Sequence, residues 1–215
     1  MERRPEASAP WAEEPLWEFV FIPFMNMLTD SHDAVTADWA AALLDFWFNK
    51  VGERGWWSHD PALDRQCHAR FRSLWEEKRL LPAEDFLDRA DDALAAVLLF
   101  DQLPRNMFRG SADAFSTDAL ARDVARGAVA HGYDIQIGGA GRLFFYMPFQ
   151  HSEAMDDQKL SLSLFEGAGD EKSLRFAREH YAVIERFGRF PHRNTVLGRV
   201  NAPGEEEAAK EGGGW

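Results

Sequence analysis

Three short stretches of this chain hold the residue types that perform acid–base and anion chemistry. The first is Asp101-Gln102-Leu103-Pro104-Arg105-Asn106, with Arg109 one helical turn beyond Arg105. The second is His151-Ser152-Glu153. The third runs from Glu185 to Arg199, where Arg186, Arg189, His192, Arg193, Asn194 and Arg199 stand among Phe187, Gly188, Phe190 and Pro191. Glycine and proline fix the backbone there, so the polar side chains leave it in set directions. Guanidinium groups held in that way suit a carboxylate or a phosphate, on a ligand or elsewhere in the protein.

Each stretch has a chemical and a structural reading. Asp101 is either a general base, or the carboxylate that orients an arginine, or one half of a buried ion pair that ends a helix. His151 is an acid/base or ligand-binding residue, or a helix cap. A histidine two residues from Glu153 resembles a metal motif, but positions i and i+2 lie on different sides of a helix. No His-Glu-x-x-His spacing is present, so no metal is expected. Arg189, His192, Arg193 and Asn194 either line a pocket or pin helix ends, and the two roles can coexist.

The elements that must position these groups are helices. Trp39, Leu43, Phe46 and Trp47 form one stripe behind a capping Thr36, and Asp60-Pro61 starts a second helix carrying Leu63, Cys67, Phe71, Leu74 and Trp75. A third is predicted from near Pro82 to Leu103, with Leu87, Ala90, Leu94, Val97 and Leu98 on one face. At 100° per residue Asp101 falls in the middle of that face, and Pro104 then ends or kinks the helix. A fourth runs from about Ser116 to His131-Gly132. Gly138 to Gly141 reads as a flexible loop before the aromatic block Leu143 to Phe149. Ser152 caps a fifth helix, and the sixth, Asp170 to Phe187, is two-sided, with His180 on its apolar half and Gly188 at its end. No stretch alternates with period two between hairpin turns. The fold class is all-α, built from antiparallel helix pairs.

Composition limits the partners. Phe and Trp number 17 and 8, enough aromatic surface for a substantial core, and the net charge of −12 argues against nucleic acid and against an anionic membrane. Between Lys172 and Arg199, however, seven basic residues face two acidic ones, a concentration that fits a small anion better than a polymer. Cys67, the single cysteine, is expected in the core. The apolar run Phe19 to Leu28 is too short to span a bilayer, and a cytoplasmic location is the expectation. The predicted organisation is a loosely ordered N-terminal extension over 1–34, a helical domain over 35–204 and a C-terminal tail over 205–215. No phosphate-binding glycine loop or dinucleotide fingerprint occurs, so no cofactor is expected.

The three stretches, together with Phe115 and Asp118, Tyr146-Met147-Pro148-Phe149, Gln158 and Leu197-Gly198-Arg199, resemble in order and spacing the bacterial family called domain of unknown function 924, from about Asp45 to Gly204. The resemblance implies an all-α fold similar to tetratricopeptide-repeat helical arrays, and carries no activity with it. Its polar signature falls here on Asp101, Gln102, Arg105, Asn106, His151, Glu153, Arg189, His192, Arg193 and Asn194. The chain departs from the pattern at Val200-Asn201-Ala202-Pro203-Gly204, which leaves open whether a C-terminal helix closes a pocket.

The functional expectation is a polar pocket for a small anionic metabolite bearing phosphate or carboxylate. Asp101, His151, Glu153 and His192 are its candidate catalytic groups. Gln102, Arg105, Asn106, Arg189, Arg193 and Asn194 are its candidate ligand contacts. A hydrolase or lyase fits such a site; the alternative is a non-catalytic helical scaffold for a peptide or protein partner.

Overall fold

In the computed structural model, which describes residues 38–211, the chain is α-helical with no strand among those residues. The extension predicted over 1–34 and the capping Thr36 lie outside the described residues. The helices are α1 (Trp39–Leu44), α2 (Gly52–Trp56), α3 (Pro61–Lys78), α4 (Ala90–Val97), α5 (Leu103–Met107), α6 (Asp118–Ala130), α7 (Tyr133–Ile137), α8 (Gly139–Gln150), α9 (Met155–Ala168), α10 (Glu171–Phe187) and α11 (Glu205–Glu211). A π-helical stretch, Asp45–Val51, links α1 to α2, and another, Leu98–Gln102, links α4 to α5.

Local signals explain most boundaries. Asp60 accepts a hydrogen bond from the Ala62 amide at 2.8 Å ahead of Pro61, and Asp170 accepts one from the Lys172 amide at 3.2 Å, so both act as N-caps. Leu63, Cys67, Phe71 and Trp75 are buried along α3, and burial pushes the Cys67 thiol up to about 12. The third predicted helix begins later than its apolar stripe suggests. Ala83–Phe86 is a 3-10 turn, Arg89 is extended, and α4 starts only at Ala90. The glycine run is also not a loop: Gly138, at φ 65°, ends α7, and α8 starts at Gly139. Gly141 is already inside α8, where an added methyl would meet Leu94 at 3.1 Å, so the lack of a side chain lets α8 approach α4.

The chemistry-bearing segments are held by two packing arrangements. α8, α9 and α10 follow one another through short turns and pack side by side, which places consecutive helices antiparallel. α5 packs on α3, and α6 packs on α4 and α8. Phe100, Phe144, Phe145, Tyr146, Phe149, Phe165 and Trp47 form a dry aromatic core between them. Residues 205–211, expected as a tail, instead form α11, which packs on the 3-10 turn Pro191–Arg193. No helix is long and apolar enough to cross a membrane among the described residues.

Candidate functional site

Asp101 sits in the π-helical stretch because of Pro104. Proline cannot supply the amide hydrogen that an α-helix would send to the Phe100 carbonyl. The hydroxyl of Thr117 donates to that carbonyl instead, at 2.7 Å, and is itself held by the Trp75 indole at 3.1 Å. The Leu103 amide reaches back to the Leu98 carbonyl, five residues away, and the widened turn turns Asp101 and Gln102 inward.

Asp101 has no exposed surface, and its carboxylate is satisfied from three sides. Gln102 donates through Nε2 at 2.6 Å, the Arg105 guanidinium lies 3.2 Å away, and His151 Nδ1 lies 2.8 and 3.0 Å from the two oxygens. Burial works against the charge, but Arg105, His151 and Gln102 outweigh it and hold the carboxyl well below its usual range. An ionised carboxylate only accepts, so His151 donates through Nδ1–H. Its Nε2 then carries the lone pair; that nitrogen has no hydrogen-bond partner among the described residues, and 15% of the side chain remains accessible. Burial, and after it Arg105, keep His151 below the ordinary imidazole value against the pull of Asp101, so the ring is neutral at pH 7.

The turn that carries His151 is built by α9. Gln158 donates to the carbonyls of Gln150 and Ser152 at 2.7 and 2.6 Å, and Ser152 donates to Asp157 at 2.7 Å. Ser152 thus locks the turn before α9 rather than occupying its N-cap, which is Ala154.

Asp118, at the start of α6, ties the cluster together. It accepts from Arg105 at 3.1 and 3.3 Å and from Arg193 at 3.4 Å, so one carboxylate is shared by two guanidiniums. Arg193 also donates to the His151 carbonyl at 3.0 Å and is sandwiched between Phe115 and Phe190, each ring centre 4.6 Å from its guanidinium carbon. Burial, reinforced by Arg105, brings Arg193 down to about 10, still charged at neutral pH. Its Nε is buried without a hydrogen-bond partner in the described structure. Two carboxylates and two guanidiniums therefore balance around a neutral imidazole.

Gly188, at φ 68°, ends α10 in the left-handed conformation and directs Arg189–Asn194 toward this cluster. His192, half-buried on that turn, packs its ring on Phe190 at 5.6 Å and makes no hydrogen bond among the described residues. Burial and the two arginines, Arg193 before Arg105, push it down to about 4. His180, 3% exposed on α10, contacts the Phe176 carbonyl and Gln150 and lies 6.2 Å from His151, ring to ring. Burial above all pushes it down to about 3.

The other predicted site residues are engaged with protein partners. Glu153 accepts from Arg199 at 2.8 and 2.9 Å and from the Phe190 amide at 2.8 Å, and no hydrogen bond joins it to a histidine among the described residues. Arg189 grips Glu205 with two bonds of 2.7 Å, and Asn194 donates to Glu205 at 3.0 Å and to Asn201 at 2.8 Å. Asn106 donates to Asp64 at 2.8 Å, alongside Arg109. The structure thus gathers Asp101, Gln102, Arg105, His151 and Arg193 in one hydrogen-bonded cluster, with His192 on the turn beside Arg193. It brings in Asp118, which belongs to the pattern that carries the family resemblance but not to its polar signature, and which by position is a first-turn acid of a helix. Among the described residues no three His, Cys, Asp or Glu side chains converge in a manner that could hold a metal ion.

Comparison with known proteins decides the family. The model for the bacterial protein of unknown function DUF924 matches residues 43–213. The chain belongs to this DUF924 family. It is also similar to the solved structure of the protein of unknown function ATU0120 from Agrobacterium tumefaciens, with 40% identity, a TM-score of 0.75, and coverage of 82% of this chain and 99% of that one. No curated protein matches the chain. The Asp101–His151 cluster lies within the span that the DUF924 model matches.

Proposed function

We propose that this DUF924 protein binds a small anionic metabolite, bearing phosphate or carboxylate, at the Asp101–His151–Arg105–Arg193 cluster, with His151 as the base of a hydrolytic or elimination step. The observation that carries the reading is the His151 imidazole, pinned through Nδ1 to a fully buried carboxylate, with Nε2 unpartnered among the described residues. A neutral histidine so oriented accepts a proton at Nε2 from water or substrate, and Asp101 stabilises the imidazolium that results. Asp101, not Glu153, is its orienting carboxylate.

The anion contacts fall to Arg105 and Arg193. Arg105 retains 21% of its side chain accessible, and Arg193 is held rigid between two rings. Arg189, doubly bonded to Glu205, supports the turn rather than the ligand. Gln102 fixes Asp101, and Asn106 and Asn194 fix helix contacts. The supporting framework is thereby preorganised before ligand arrives.

A thermal-shift screen against phosphorylated and carboxylated metabolites tests this. A ligand at about 100 times its dissociation constant adds about 2.7 kcal/mol, enough to raise the midpoint by several degrees in a chain of this size. The expected result is a stabilising anion whose effect is reduced by Arg105→Gln and whose turnover is abolished by His151→Gln. A flat panel, with a peptide partner found instead, would favour a helical scaffold over a small-molecule site.

A further inference from the structure

The cluster's charges are already matched: Asp101 and Asp118 against Arg105 and Arg193, with His151 neutral. A ligand bringing two negative charges into such a half-buried setting leaves a deficit of positive charge. A proton taken up by the protein offsets one of those two charges, and solvent counter-ions meet the other. His192 is the group suited to take the proton. It is half-buried, it has no hydrogen-bond partner among the described residues, and it sits one residue from Arg193.

We propose that the site takes a dianionic, phosphate-type ligand together with a proton, and that His192 receives that proton. This rests on the anion-site reading above. The charged and titratable groups acting on His192 come from every side of the cluster: Arg193 on its own turn, Arg105 from α5, His151 just past the end of α8 and Glu153 from the turn before α9. His180, from α10, also feels it. The two guanidiniums oppose a charge on His192. A dianion held by the guanidiniums opposes their field at the ring, so the ring protonates as the ligand binds. The protonated ring then donates to the ligand through a nitrogen that otherwise has no partner in the described structure. Sign follows from linkage: the complex holds one more proton than the free protein, so affinity falls as pH rises.

Sulfate is a suitable probe, because it keeps both negative charges across the neutral range and any proton taken up must go to the protein. Isothermal titration of sulfate into the full chain at about pH 6, just below the ordinary imidazole value, is run in two buffers of different ionisation enthalpy at matched ionic strength. The expected result is uptake approaching one proton, with affinity weakening by up to about tenfold per pH unit above it. In His192→Gln the uptake disappears and the remaining binding no longer depends on pH. Binding without proton uptake overturns this inference and leaves the anion site standing. Uptake that persists in His192→Gln overturns the assignment to His192. No sulfate binding at all overturns the dianion inference, and the thermal-shift panel then decides whether a carboxylate site stands without it.

Discussion

Burying a carboxylate is costly unless its oxygens are met, and Asp101 is met by Gln102, Arg105 and His151 at once. Replacing it by Asn keeps the shape but leaves Arg105 and His151 without their anion. Asp101→Asn is expected to destabilise the protein by about 3 kcal/mol, read from urea unfolding at neutral pH. Because its pKa is depressed in the fold, this contribution is present above the unfolded carboxylate value and is lost as pH falls through the folded one. An unchanged midpoint would mean that the carboxylate is neutral or poorly paired. Part of this residue chemistry was legible in the sequence, since a carboxylate in the middle of an apolar helical face had to find partners. Which partners it found was not: His151 lies fifty residues away, and Asp118 looks like an ordinary first-turn acid.

Helix boundaries were legible where a local cap or breaker decides them, as at Asp60-Pro61, Asp170 and Gly188. They were not where tertiary contact decides. The stripe from Pro82 continues at helical spacing, yet the chain opens at Arg89 before α4, and Gly141, expected in a loop, sits inside α8 in close packing against Leu94 of α4. The largest departure is α11. Residues 205–215 are expected as a C-terminal tail, but Glu205 is 1% exposed and accepts from Arg189, Asn194 and the Ala202 amide. Those hydrogen bonds, from Arg189 first, hold its carboxyl down at about 2. This element fastens the turn that carries His192 and Arg193. Glu205→Gln is therefore expected to raise amide hydrogen exchange across residues 189–202 while α3 and α4 stay protected. Exchange raised uniformly, or not at all, would show that α11 does not hold the turn.

Across the whole molecule, an acidic chain surrounds one basic segment, and the structure shows why that asymmetry is not a loose patch. Arg189, Arg193 and Arg199 each meet a carboxylate, from Glu205, Asp118 and Glu153 in turn. The all-α class followed from helical periodicity, and the family from the order of three polar blocks. What the sequence could not supply is the charge balance, which arises only when the π-helical stretch Leu98–Gln102, α5, α6, the turn after α8 and the turn after α10 meet. Burial within that balance keeps His151 neutral and Nδ1-protonated at physiological pH, with Nε2 unpartnered among the described residues. Nitrogen-15 NMR of the imidazole tests it most directly. The expected result is an Nδ1–H tautomer that stays neutral on acidification to below the ordinary value of about 6.5, and an Nε2 signal that moves when a stabilising anion is added. A ring that is cationic at pH 7, protonated at Nε2, or unmoved by such a ligand would contradict it.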